Sequence, residues 1–187
     1  MLNKYIAPLF LVFISVTSLT LAQPDDSLNE LLSVCKKAKT ETEDNGRFVQ
    51  LLIDKKDTRY VESMQLYNAA RSSFEEWIEY YTLETEDLIT KKDKVVNEQN
   101  IRNKINKAMD AVGAFNKYVQ QITTSQNNTT VARGYIPTVT EVNTCFNSAV
   151  GFLKLIKDSK REKQETMKKD LYNRLSRYHI TEFTSLK

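Results

Sequence analysis

The feature that most constrains the fold is an apolar repeat that runs without a miss through residues 101–122. Its members are separated alternately by four and three residues: Ile101, Ile105, Ala108, Val112, Phe115, Val119 and Ile122. Because an α-helix has 3.6 residues per turn, this spacing places all of these side chains on one face. Polar residues occupy the positions between them, which suits the opposite, solvated face. The repeat therefore predicts an amphipathic helix over about residues 96–124.

The same spacing predicts a first helix over about residues 27–43. It begins at a capping box, in which the Ser27 hydroxyl accepts from the backbone at Glu30 and the Glu30 carboxylate reaches back to the start of the helix. The tripeptide Asp-Asn-Gly at 44–46 follows. Asn and Gly tolerate positive φ at a helix end, so we predict a turn there.

Two further helices complete the pattern. One covers about residues 47–90, with an interruption near residue 57 left open, and its apolar face carries a strict seven-residue repeat. The members of that repeat are Tyr60, Tyr67, Phe74, Tyr81 and Leu88. The last helix covers about residues 138–178 and begins at a second capping box, formed by Thr138 and Glu141.

The composition favours helices over a sheet. Only four Gly and three Pro leave little turn chemistry for many short strands. Short connections between long amphipathic helices make chain neighbours antiparallel. We therefore predict an all-α fold, an up-down bundle of about four long amphipathic helices, in a single domain over residues 23–187. An extended coiled coil and a helical-repeat protein are the alternatives, the first because the heptads are so regular.

The C-terminal part of the last helix is ambiguous. Residues 158–170 are charged nearly all round, whereas Met167, Leu171 and Leu175 resume an apolar edge. We expect the helix to continue past the bundle as a charged C-terminal helical extension. The alternative is a break near Ser159, after which the chain folds back.

The N-terminus predicts export from the cell. Residues 1–4 give a short cationic start and residues 6–21 form an apolar run without a charge, which is the pattern of a signal peptide. Small residues at Thr20 and Ala22 predict a signal peptide over 1–22, cleaved after Ala22. The protein is then secreted or extracytoplasmic, either extracellular or periplasmic. An uncleaved anchor is disfavoured, because roughly 16 apolar residues fall short of the about 20 that cross a bilayer, so we expect no stable membrane insertion after cleavage.

The two cysteines, Cys35 and Cys145, each lie on or beside an apolar stripe. Because exported proteins meet an oxidising compartment, we predict a disulfide between them. It would close a loop of about 110 residues, for which the chain-entropy model gives roughly 4–5 kcal/mol as an upper limit. Two unpaired core thiols are the alternative. The cysteines do not stand in a Cys-x-x-Cys motif, and two thiols are too few for a zinc site.

The sequence predicts no catalytic site, no metal site and no cofactor, and hence a protein that is not an enzyme. The one histidine, His179, lies near the C-terminus, and the residue three before it is Ser176, whereas di-metal bundles need Glu-x-x-His. Glu75 and Glu79 share a helix face, for which a solvated surface is the better interpretation than an acid–base pair. The 27 Lys plus Arg against 24 Asp plus Glu are too balanced for nucleic-acid binding.

Two functions remain. The first is a non-catalytic binding module that engages a protein partner through a helical face or through the polar loop at 123–136. Its candidate surface residues are Trp77 and Tyr80, because these cannot both face inward together with Tyr81 on one helix. The second is a carrier or sensor that holds a small hydrophobic ligand within the bundle.

The polar loop also contains two overlapping sequons. Asn127-Asn128-Thr129 and Asn128-Thr129-Thr130 make Asn127 and Asn128 candidate glycosylation sites. They bear on the molecule only if its host has a eukaryotic secretory pathway.

Overall fold

The computed structural model describes residues 24–124, 134–184 and 186, and these form an all-α bundle. The helices in this part of the chain are α1 (Pro24–Asp54), α2 (Tyr60–Thr90), α3 (Glu98–Thr124), α4 (Val139–Asp158) and α5 (Arg161–Arg177). The predicted fold class, an all-α up-down bundle, is confirmed, with five helices instead of about four. The predicted signal peptide at 1–22 and the sequons at Asn127 and Asn128 lie outside the described residues.

The helices pack in two principal pairs, α2 with α3 and α1 with α4. Two contacts show that α1 and α4 run antiparallel. Lys37 Nζ on α1 lies 2.7 Å from Glu141 Oε1 near the start of α4. Seven residues earlier on α1 and seven later on α4, Ser148 Oγ donates to Glu30 Oε2 at 2.8 Å. The apolar faces that the sequence repeat predicts are thereby turned toward one another in a common core.

α1 continues through residues 44–46, so the predicted turn is wrong. Asn45 Nδ2 donates to Asn116 Oδ1 on α3 at 2.8 Å, and both side chains are buried. Gly46 lies so close to α2 that a Cβ atom there would be 2.7 Å from Tyr67 Cε2. Contacts between helices thus override the local preference of Asn and Gly for a turn.

α1 and α2 are joined by residues 55–59, and the predicted helix over 47–90 is divided there. α1 ends with Lys56 in the left-handed region, at φ 55°. The backbone N–H of Lys56 donates to the Ile53 carbonyl at 2.9 Å, and that of Asp57 donates to the Leu52 carbonyl at 3.0 Å. These two bonds form a Schellman motif, which satisfies carbonyl groups at the helix end.

α4 begins at the predicted capping box, in which Thr138 Oγ1 accepts from the Glu141 backbone at 3.1 Å. It ends at Asp158, twenty residues before the predicted end. The charged C-terminal helix is present as a separate α5 that folds back over the bundle, instead of continuing past it. The physical reason is its apolar edge, since Met167, Leu171 and Leu175 are buried in this arrangement.

The core is rich in aromatic side chains. The largest fully buried ones are Trp77, Tyr67, Tyr81, Phe74, Phe115 and Phe152. Tyr67 and Phe115 pack edge to face, with ring centroids 5.3 Å apart, which adds to the contact between α2 and α3. Among the helices that the structure describes, none has an apolar stretch long enough to cross a membrane.

Candidate functional site

The two cysteines meet inside the bundle. Cys35 on α1 and Cys145 on α4 are fully buried, and Cys35 lies close enough to Cys145 to be the main cause of its raised pKa. The ion pair and the hydrogen bond that join α1 to α4 flank the two thiols on either side. Both cysteines are free, so the predicted disulfide is not formed in the structure. The packing of α1 on α4 is what brings together two residues 110 positions apart.

Aromatic side chains lie beside the thiols. Tyr81 is buried, its hydroxyl donates to the Ala149 carbonyl at 3.2 Å, and its ring centroid lies 5.1 Å from that of Trp77. Burial, with a smaller contribution from Cys145 and Cys35, raises the pKa of Tyr81 well above 10.0. The phenol therefore stays neutral at physiological pH and acts as a donor to the backbone of α4.

The same surroundings keep the Cys145 thiol protonated. The hydrogen bond with Cys35, and next the burial of the site, raise the pKa of Cys145 well above 9.0. The thiolate is the form that attacks electrophiles and binds metals. Within residues 24–124 and 134–184, no group of three or more His, Cys, Asp or Glu side chains could hold a metal ion. In the folded protein, Cys145 is therefore held in its less reactive thiol form.

The predicted surface residues lie in different environments. Trp77 is fully buried because it lies on the face of α2 that points into the core. The prediction that it belongs to a partner surface is therefore wrong. Tyr80 is half-buried, and its hydroxyl donates to Glu84 Oε2 at 3.3 Å. Glu84 is itself buried and lies 2.9 Å from Lys94 Nζ. Tyr80 thus supports the connection between α2 and α3 through Glu84.

An exposed apolar surface lies where α1 meets α2. Leu51, Tyr60 and Val61 are 51%, 39% and 49% exposed, and each lies within one helical turn of the connection at 55–59. We call these three residues the hairpin surface. The apolar repeats do not predict this surface, although the run Phe-Val-Gln-Leu-Leu-Ile at 48–53 indicates it. One helix cannot bury apolar residues at so many consecutive positions.

The acidic stretch of α2 is paired with basic residues. Lys107 and Lys104 on α3 place their Nζ atoms 2.9 and 3.5 Å from Glu76 Oε2. The hydrogen bond from Lys107 is the main cause of the lowered pKa of Glu76. Glu75 pairs with Arg71 on its own helix, at 2.9 Å. These carboxylates therefore belong to a charged surface that α2 shares with α3.

The one histidine has a structural place at the end of α5. His179 is exposed and lies in the left-handed region, at φ 50°. Its backbone N–H donates to the Ser176 carbonyl at 2.9 Å, and the N–H of Ile180 donates to the Leu175 carbonyl at 2.9 Å. His179 therefore occupies the position after a helix that usually holds Gly.

A small, half-open cavity lies between α1 and the end of α5. Its volume is about 210 Å³, and it is lined by Asn29, Leu32, Ser33, Lys36 and Tyr178. Pockets that hold small molecules usually measure about 300–1,000 Å³ and bury most of the ligand. By its size and its place at the surface, this cavity does not favour the carrier hypothesis.

Comparison with known proteins gives no relative, since no protein-family model, no curated protein and no solved structure matches the chain. The function is therefore inferred from the hairpin surface and the paired thiols alone.

Proposed function

We propose that this protein is an exported, non-catalytic binding module that engages a protein partner through the hairpin surface. The observation that carries the proposal is that Leu51, Tyr60 and Val61 are all exposed within one helical turn of the connection between α1 and α2. Exposed apolar residues that occur singly are ordinary on a monomer, whereas adjoining ones mark an interaction site.

The surroundings of the hairpin surface favour a protein as the partner. Asp54, Lys55, Lys56 and Glu62 are exposed around it, so an apolar centre is bordered by both signs of charge. A polar border around an apolar centre is the usual anatomy of protein–protein interfaces. Tyrosine, here Tyr60, is also enriched among the residues that contribute most to binding.

The proposal also places the protein in an oxidising compartment outside the cytosol, after removal of residues 1–22. There the Cys35 and Cys145 thiols lose two protons and two electrons to a disulfide oxidant, which is reduced to two thiols, and a bond forms between the two sulfur atoms. The packing of α1 on α4 brings the two thiols together for this step. Transient opening of that contact lets the Cys145 thiol ionise, because the neighbouring Cys35 and burial raise its pKa in the closed bundle. Asn127 and Asn128 accept glycans if the host pathway provides them.

Capture from the native fluid of the protein tests the binding proposal. The wild-type protein and the double variant Leu51→Lys/Val61→Lys are immobilised in parallel, and the retained proteins are quantified by mass spectrometry. Leu83→Lys is the matched control, because Leu83 is 54% exposed on α2 but lies at the other end of the helix.

We expect a partner that the wild type and Leu83→Lys retain equally and that the double variant retains at least about tenfold less, because a central apolar contact is lost. Equal retention of the partner by all three immobilised proteins would contradict the proposal, as would the absence of any specifically retained protein. Native mass spectrometry of the protein from its source addresses the carrier alternative, for which a small co-purifying ligand is the expected sign.

A further inference from the structure

The last described residues of the chain are bound between α1 and α2. The backbone N–H and the hydroxyl of Thr184 donate to Glu43 Oε1 on α1 at 2.9 and 3.0 Å. The Tyr67 hydroxyl on α2 donates to the Thr184 carbonyl at 2.6 Å. Lys39 Nζ lies 2.6 Å from the other oxygen of Glu43 and fixes that side chain. Side chains of two helices therefore hold both backbone polar groups of one residue.

Apolar side chains anchor the same segment. Ile180 is fully buried, and Phe183 is 6% exposed. Phe183 packs edge to face on Phe74 of α2, with ring centroids 5.5 Å apart, and Lys39 Nζ lies 5.2 Å from its ring. We call residues 161–184, which comprise α5 and this segment, the C-terminal unit. Its contacts with α1 and α2 do not depend on which copy of the chain supplies the unit.

The connection between α4 and α5 is a two-residue hinge. Ser159 and Lys160 are extended, with ψ 155° and 152°, and Lys160 makes no side-chain capping bond to α5. Residues 152–187 contain neither Gly nor Pro, so they are compatible with an unbroken helix from α4 into α5. In the bent form, Gln164 Nε2 donates to the Ile156 carbonyl at 2.9 Å. In an unbroken helix that carbonyl accepts from the Lys160 backbone instead.

We propose that two copies of this chain exchange their C-terminal units. In the exchanged dimer the hinge is straight, α4 and α5 form one helix, and each unit occupies the α1–α2 groove of the other copy. α5 has 17 residues, so straightening projects it by about 25 Å, enough to reach a second bundle. All contacts of Thr184 and Phe183 are regained, and two-fold symmetry closes the assembly. The exchange is independent of the hairpin surface.

Two substitutions at the hinge are expected to change the association constant of the exchanged dimer in opposite directions. Lys160→Pro fits the bent hinge, because the φ of Lys160 is −66° and Ser159 before it is extended, but it breaks the unbroken helix. Gln164→Ala removes a hydrogen bond that belongs only to the bent form. Lys163→Ala changes an exposed neighbour on the same helix and is the matched control.

The dimer fraction is measured by size-exclusion chromatography with light scattering, after each purified protein is refolded at graded concentrations. Circular dichroism verifies that each variant is helical. For the wild type we expect a dimer whose fraction rises with concentration. Because two hinges open per dimer, Gln164→Ala raises the association constant roughly tenfold or more over Lys163→Ala. Lys160→Pro lowers it roughly 100-fold or more.

A dimer that persists in Lys160→Pro overturns the exchange. So does a Gln164→Ala protein that is no more dimeric than Lys163→Ala, a comparison that stands even if the proline variant fails to fold. The variant Leu51→Lys/Val61→Lys distinguishes the exchange from binding through the hairpin surface. An exchanged dimer survives it, whereas a dimer lost in this variant forms through the hairpin surface and contradicts the exchange.

Discussion

At the scale of single residues, the ends of the helices explain the backbone conformations of two residues. His179 and Lys56 each lie two residues after the end of a helix, and both have positive φ. This conformation strains a residue that has a Cβ atom, but it allows the Schellman bonds to form. The end of α5 therefore gives the one histidine of the chain a structural role.

The first prediction follows from that strain. His179→Gly is expected to raise the free energy of unfolding by about 0.5–1 kcal/mol, because relief of the left-handed strain exceeds the added entropy of the unfolded chain. Urea denaturation followed by the fluorescence of Trp77, the only tryptophan, measures the change. His179→Ala, which keeps the strain, is the control and gives no such gain. A lower stability for His179→Gly contradicts the assignment.

Glu43 makes the binding of the C-terminal segment sensitive to pH. Burial acts to raise the pKa of Glu43, but the hydrogen bonds from Lys39 and Thr184 outweigh it and leave the pKa below 4.5. A lowered pKa in the folded state means that the ionised form stabilises the fold. That stabilisation is present above about pH 4.5 and is lost as the pH falls through the folded pKa.

We therefore predict that the Thr184 amide resonance shifts with a midpoint below pH 4.5, because its N–H loses an ionised acceptor. A titration of the isotope-labelled protein by two-dimensional NMR measures this midpoint. In Glu43→Gln the shift is expected to disappear. A midpoint at or above 4.5 in the wild type is incompatible with the contact.

At the scale of the helices, two glycines that look alike in the sequence have opposite roles. A Cβ atom at Gly46 would lie 2.7 Å from Tyr67 Cε2, whereas one at Gly151 would lie 3.5 Å from Ser27 Oγ, an ordinary contact. We predict that Gly46→Ala lowers the free energy of unfolding by about 1–3 kcal/mol through overpacking. Gly151→Ala raises it by about 0.5–1 kcal/mol, as a gain in helix propensity. Denaturant unfolding of the two variants tests the difference, and equal signs would refute it.

The apolar repeat predicts the faces of the helices well, because burial of a stripe is a property of the sequence itself. It does not predict where α1 ends. At residues 44–46 the local preference for a turn loses to contacts with Asn116 and Tyr67, which are remote in the sequence. The helix instead ends at Asp54 and is followed by Lys56 with positive φ, a residue type that carries no stop signal.

At the scale of the whole molecule, the parts that the sequence could not predict are those made by distant segments. The charged residues of α5 are compatible both with a solvated extension and with a helix packed on the bundle. The packed arrangement depends on contacts of Thr184 with Glu43, 141 residues away in the sequence, and with Tyr67, 117 residues away. The proximity of Cys35 and Cys145 was predictable because both lie on apolar stripes. The sequence could not predict which aromatic residues of α2 face outward, because that depends on how the bundle closes around Trp77.

Burial of the thiols leads to a prediction on their reactivity. In the reduced, folded protein we expect alkylation of Cys35 and Cys145 to be at least roughly 1,000-fold slower than in urea, because reaction requires opening of α1 from α4. The rates are measured with a maleimide reagent and mass spectrometry at neutral pH. Rapid labelling under native conditions is inconsistent with the buried pair.

We propose that this bundle works outside the cytosol, with α1 and α4 joined by a disulfide between Cys35 and Cys145. The intact mass of the protein recovered from its own source tests this claim most directly. The account predicts a chain that begins at Gln23 and is lighter by two hydrogen atoms than the reduced form, apart from any glycan on Asn127 or Asn128. A chain that retains residues 1–22 and carries two free thiols would contradict it.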